Sequence, residues 1–117
     1  MSAIIRILLA TLMLPASIAC NTDIKNIKTE NVKIDGNCEM CEATIETAGN
    51  KKNISKVDWD KNNKTAIIIF DSLRTNQSAI LKRIANAGYD NEKFKAPNNV
   101  YEKLHDCCKY ERKSETK

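Results

Sequence analysis

The run Thr65-Ala66-Ile67-Ile68-Ile69-Phe70 constrains this chain more than any other stretch. Its β-branched residues suit a pleated strand. Upstream lie Asp60-Lys61-Asn62-Asn63, rich in turn formers, and then residues 54–59, in which Ile54 and Val57 are candidate core positions. Two such strands joined by that turn predict a β-hairpin.

The flanking segments complete a pattern. Residues 29–35 alternate Val32 and Ile34 with polar residues, as a half-buried strand does. Gly36-Asn37 marks a loop. A helix is expected from Glu39 or Met40 to Gly49-Asn50, with Ala43, Ile45 and Ala48 as its apolar positions. After the hairpin, Thr75 is the expected cap of a second helix. Ala79, Ile80, Ile84 and Ala87 recur there at helical spacing, Leu81 widens the stripe, and Gly88 stops it. Residues 89–95 are the expected fourth strand. The order βαββαβ predicts an α+β, ferredoxin-like sandwich, with two helices on one face of a four-stranded antiparallel sheet. Pro97 closes this unit, and residues 98–112 are expected to form an extra carboxy-terminal helix with Val100, Leu104 and Cys107/Cys108 on one side.

The amino end reads as an address. Arg6 supplies a positive start, residues 7–14 are apolar, Pro15 breaks the run, and the small residues Ala16, Ser17 and Ala19 follow. The apolar stretch is shorter than the ~20 residues a spanning helix needs. Ser17-Ile18-Ala19-Cys20 resembles a bacterial lipobox, which predicts lipidation of Cys20 and a membrane-anchored, periplasm-facing protein; ordinary signal-peptidase cleavage at the same bond would leave a soluble periplasmic one. The expected organisation is a signal peptide over 1–19, a polar tether over 20–28, the βαββαβ domain over 29–96 and a cysteine-containing tail over 97–117.

Charge excludes one class of partner. The 19 Lys and Arg alternate with 15 Asp and Glu for a net +4, and the aromatics number only one Trp, three Tyr and two Phe. A mixed, solvated surface without a basic stripe or known motif argues against nucleic acid. No general base, phosphate loop or nucleophile–His–acid set is present, so chemistry on a substrate is not expected.

Cys38-Glu39-Met40-Cys41 falls where the first strand hands over to the first helix. One thiol on the loop and one in the first helical turn converge easily. The free amides and positive dipole of a helix start favour thiolate, although Asp35 and Glu39 should raise the thiol pKa somewhat. Thiolates suit soft ions, and two of them form a near-linear site for Cu(I) or Hg(II) that an incoming thiolate can exchange. Zn(II) is a further candidate, but a structural zinc site would need more ligands. A disulfide is the alternative for exported cysteines. A thioredoxin-like redox pair is another, but the pattern lacks a Pro within the CxxC and a long βαβ unit.

In the stretches VKIDGNCEMCEATIE, ISKVDWDKNNKTAIIIFD and SAILKRIANAGYD, spanning residues 30–95, the chain resembles the heavy-metal-associated domain family. That family includes copper chaperones, amino-terminal modules of copper-pumping ATPases and the periplasmic mercury-binding protein. The resemblance implies Cys38 and Cys41 as metal ligands and Tyr89 as the aromatic covering the metal loop. It also implies Cu(I) as cargo, with Hg(II) the alternative, and a metal-transporting ATPase or other metal-site protein as partner through thiolate exchange. A homodimer bridged by metal through two such loops is a further expectation. Gly36 stands where the family usually carries Met.

Leu104-His105-Asp106-Cys107-Cys108 lies outside that resemblance. On a helix, His105 and Cys108 share a face, and Cys107 sits ~100° from Cys108. His105, Cys107 and Cys108 are therefore candidates for an auxiliary site or for a third ligand to Cys38 and Cys41. The alternative is that one cysteine packs as a small hydrophobe while His105 is solvated. Met40 reads as loop filler or a weak sulfur ligand, Trp59 as strand packing. Lys51-Lys52 and the basic residues of 109–113 read as solvated charge, the latter available to anionic headgroups if Cys20 is acylated.

Overall fold

The computed structural model describes residues 23–113. The expected signal peptide and Cys20 lie outside the described residues, as do the last four. Within them, the hairpin forms as expected: β2 (Ser55–Asp60) pairs antiparallel with β3 (Thr65–Asp71), Val57 opposite Ile68 and Trp59 opposite Ala66. Asp60 builds the turn, its carboxylate accepting from the amides of Asn62 at 2.8 Å and Asn63 at 3.3 Å. β1 (Ile27–Lys33) takes the other side of β3, giving the order β1-β3-β2. β1 begins inside the stretch expected to be tether, where Ile24 is also buried.

Period-two alternation places Val57, Trp59, Ala66, Ile68 and Phe70 on one buried face. Ile54, expected in the core, precedes β2 and is only half-buried; Ser55 takes the inward place. α1 (Glu39–Gly49) and α2 (Gln77–Asn86) cover that face with Cys41 and Ile45 from the first and Ile80, Leu81, Ile84 and Ala85 from the second. Asn76, not Thr75, caps α2, its side chain accepting from Ala79 N at 2.9 Å. That one-residue shift leaves Ala79 exposed. Gly88 ends the helix with φ +115°, a conformation that favours glycine. α1 also covers the β2 edge, since Asn50 and Glu46 side chains accept from Val57 N and Trp59 N at 2.7 and 3.0 Å.

The fourth strand does not form among the described residues. Only an isolated bridge, Ile34 with Asn91, stands in its place. Side chains take the partners that a ladder would use: Asp90 N donates to the Tyr110 hydroxyl, and Asn91 Oδ1 accepts from Lys93 N and Phe94 N, folding the segment into a turn. The single carboxy-terminal helix is also corrected. α3 spans only Asn98–Glu102, and a separate 3₁₀ turn covers Asp106–Cys108. The break lets Leu104 pack on Gly88 and carries Cys108 and Tyr110 back into the core.

Candidate metal centre

The loop between β1 and α1 rests on Trp59. The indole Nε1 donates to Ile34 O at 2.9 Å. The ring lies against Gly36 so closely that an added Cβ would stand 2.9 Å from Trp59 Cζ2 and 3.2 Å from Cys41 Cβ. A Met here, usual in the resembled family, would have no room. Lys64 ties the same point from the hairpin, donating to Gly36 O and standing 5.9 Å from the indole centroid. Trp59 reads as strand packing in the sequence; in the structure it is also the floor of the loop.

Cys38 is the N-cap of α1, in extended conformation, and its carbonyl accepts from Glu42 N at 3.0 Å. Cys41, one turn on, is fully buried, with Asn37 N donating to its sulfur at 3.3 Å. The two sulfurs are 3.6 Å apart. The tail brings two more. Cys108 Sγ lies 3.8 Å and Cys107 Sγ 3.6 Å from Cys38 Sγ, with 3.9 Å between them. Cys38, Cys41 and Cys108 offer sulfurs all within 4.8 Å of one another. All four are free thiols. Met40 is 45% exposed, its Sδ 3.5 Å from Cys107 Sγ. His105 stays outside this group: it is exposed, and its ring is not among the ligand atoms that converge.

The donor set fits a soft ion. With metal–sulfur bonds of ~2.3 Å, neighbouring sulfurs stand about 3.8 Å apart in a tetrahedron, about 4.0 Å in a triangle and about 4.6 Å across a line. The Cys38–Cys41 and Cys38–Cys108 spacings of 3.6 and 3.8 Å lie nearest the first two, and Cys41 and Cys108 offer sulfurs within 4.8 Å of each other. A linear site on Cys38 and Cys41 alone would need them to part by about 1 Å.

Burial pushes the Cys38 thiol up, but the Cys41 amide, the Cys41 and Cys107 thiols and the Met40 amide outweigh it and bring the pKa down to about 7. This is opposite to the effect expected of Asp35 and Glu39. Glu39 is directed to Lys61 at 3.4 Å instead. Burial, with the neighbouring sulfurs, pushes Cys108 up to about 12. Contact with Cys38 raises Cys107. Among these three thiols, Cys38 is lowered while Cys107 and Cys108 are raised.

Tyr89 lies beneath the sulfurs, in the core. Its hydroxyl is buried without a hydrogen-bond partner among the described residues, and burial together with Cys41 and Cys108 holds its pKa far above the usual phenol value. Its ring stacks on Tyr110 at 5.9 Å. Tyr110 donates to Gly88 O and accepts from Asp90 N, each at 2.8 Å. Arg112 then closes on Asp90 with Nε to Oδ2 at 2.9 Å and Nη2 to Oδ1 at 2.8 Å. Neither Tyr110 nor Arg112 stands out in the sequence, because both act through distant partners.

No protein-family model matches the chain, and no curated protein does. Among solved structures, one described as a CopZ metallochaperone superposes with a TM-score of 0.51 at 23% sequence identity, covering 55% of this chain and 98% of its own. The likeness is one of fold.

Proposed function

We propose that this protein is an exported, non-enzymatic carrier that binds Cu(I) on Cys38 and Cys41 and hands it on or sequesters it. The observation that carries this reading is the convergence of those two sulfurs, 3.6 Å apart at the start of α1, with Cys38 poised to ionise near neutral pH. Soft thiolates select Cu(I) over hard cations. The fold likeness to a CopZ metallochaperone supports a carrier. The partial exposure of Cys38, beside exposed Met40, leaves room for an incoming thiolate. Its partner would be a metal-transporting ATPase or another thiolate-bearing metal protein. The leader and Cys20 would hold it at the periplasmic face of a membrane.

Competition between reduced full-length protein and a chromophoric Cu(I) chelator tests this. Wild type should withdraw one Cu(I) per chain, and Cys38→Ser/Cys41→Ser should leave it with the chelator. Hg(II) offered against bound Cu(I) decides between the two cargoes. Failure of the wild type to withdraw either ion would end the proposal.

A further inference from the structure

The carboxy-terminal segment makes the sulfur cluster more than a two-cysteine loop. We propose that residues 104–112 form a clasp that supplies Cys108 as a third resident ligand, so that one chain encloses a single Cu(I) in a trigonal thiolate set of Cys38, Cys41 and Cys108, with Cys107 as the outer thiol through which the ion is exchanged. This rests on the metal-binding reading above.

Three independent features support it. Cys108 is 3% exposed yet keeps its sulfur 3.8 Å from Cys38, and all three sulfurs lie within 4.8 Å of one another. A cysteine serving only as a small hydrophobe would not need to be brought to two other thiols. Next, the clasp is anchored on residues 88–101 through two side chains. Arg112 grips Asp90 through two nitrogens, donates to Ala96 O at 2.7 Å, and stands 4.7 Å from the Tyr101 ring centroid. Tyr110 is bound to Gly88 and Asp90. Finally, the buried Tyr89 hydroxyl has no hydrogen-bond partner among the described residues and adjoins Cys41 and Cys108. A donor left unpaired in a core is unfavourable, whereas beside metal-bound thiolates it has an acceptor.

Binding balances simply. Each copper–sulfur bond forms on a thiolate, and a thiol still protonated gives its proton to solvent as it binds. In transfer, the exposed Cys107 sulfur, 3.6 Å from Cys38 Sγ, gives up its proton and takes a place on the ion as one resident thiolate leaves and takes up a proton. Partner thiolates then displace Cys107 and the two remaining resident thiolates in turn, each of which is protonated from solvent as it leaves. The ion stays Cu(I) throughout.

X-ray absorption at one Cu(I) per reduced full-length chain reads the ligand number directly. Three sulfurs are expected for the wild type, and two for Cys108→Ser, together with a Kd at least tenfold weaker. Arg112→Ala keeps every thiol and removes the clasp's anchor on Asp90 without touching a ligand; with folding checked by circular dichroism at the assay temperature, its Kd should also weaken several-fold. Cys107→Ser should keep three sulfurs on the ion but slow transfer to a competing dithiol. Two sulfurs in the wild type, or unchanged affinity in both Cys108→Ser and Arg112→Ala, would overturn the clasp while leaving the Cys38/Cys41 site standing. No uptake by the wild type would overturn both.

Discussion

At Cys38, hydrogen bonding and burial oppose each other, and hydrogen bonding wins. Its pKa of about 7, against an ordinary 9.0, makes the thiolate fraction rise about tenfold between pH 6 and pH 8, where an unperturbed thiol would gain close to a hundredfold. Alkylation of apo protein, followed by mass spectrometry, should show that shallow tenfold rise at Cys38, with Cys108 lagging at every pH. A steep rise would mean the helix-start amides do not stabilise the charge. Gly36 is the second residue under local constraint. An alanine there forces the Trp59 ring or the loop to shift, so Gly36→Ala should destabilise by about 1–3 kcal/mol, read by thermal unfolding. A neutral outcome would show the indole is not wedged beneath the loop.

Among the elements, those that follow from local pattern were legible and those made by distant contacts were not. The β-branched run became β3, the alternation around Val32 and Ile34 became β1 and its bridge, and the helix over 39–49 ends at the expected Gly49. The cysteine pair likewise falls at the expected junction. The missing fourth strand is explained by Asp90 and Asn91, whose side chains compete for backbone amides. Their poor strand propensity was the available signal. The tail offered no comparable signal, because its break serves Tyr110 and Arg112, which find their partners some twenty residues upstream. The Asp90–Arg112 pair gives this element a pH signature. Burial pushes the Asp90 carboxyl up, but Arg112 and the Ala96 amide hold it below its ordinary 3.8. The unfolded chain therefore takes up the proton first as acid is added. The stabilisation is complete above the ordinary value and is lost as pH falls through the folded one. Asp90→Asn should lower the unfolding free energy read by urea titration at pH 6, by on the order of 3 kcal/mol for a largely buried pair, and by much less at pH 2. An equal loss at both would show that the pair is not the source.

For the whole molecule, the tail is part of the core. Cys108 and Tyr110 belong to the same buried cluster as Trp59, Ile68 and Tyr89. Ending the chain after residue 96 removes them and uncovers Tyr89, a loss comparable to deleting a buried aromatic, about 3–5 kcal/mol. The truncated protein should unfold at markedly lower temperature, whereas a dispensable appendage would leave the midpoint unchanged. The sheet and helices supply a scaffold that unrelated functions can share. The distinguishing feature here is that loop and tail meet with four sulfurs between them. The ranking of the two cysteine pairs tests the account most directly, by native mass spectrometry of reduced full-length protein given one equivalent of Cu(I) beside a competing chelator. The account predicts that Cys38→Ser/Cys41→Ser emerges without copper, while Cys107→Ser/Cys108→Ser still carries one ion, more weakly held. Copper retained by the first variant and absent from the second would contradict it.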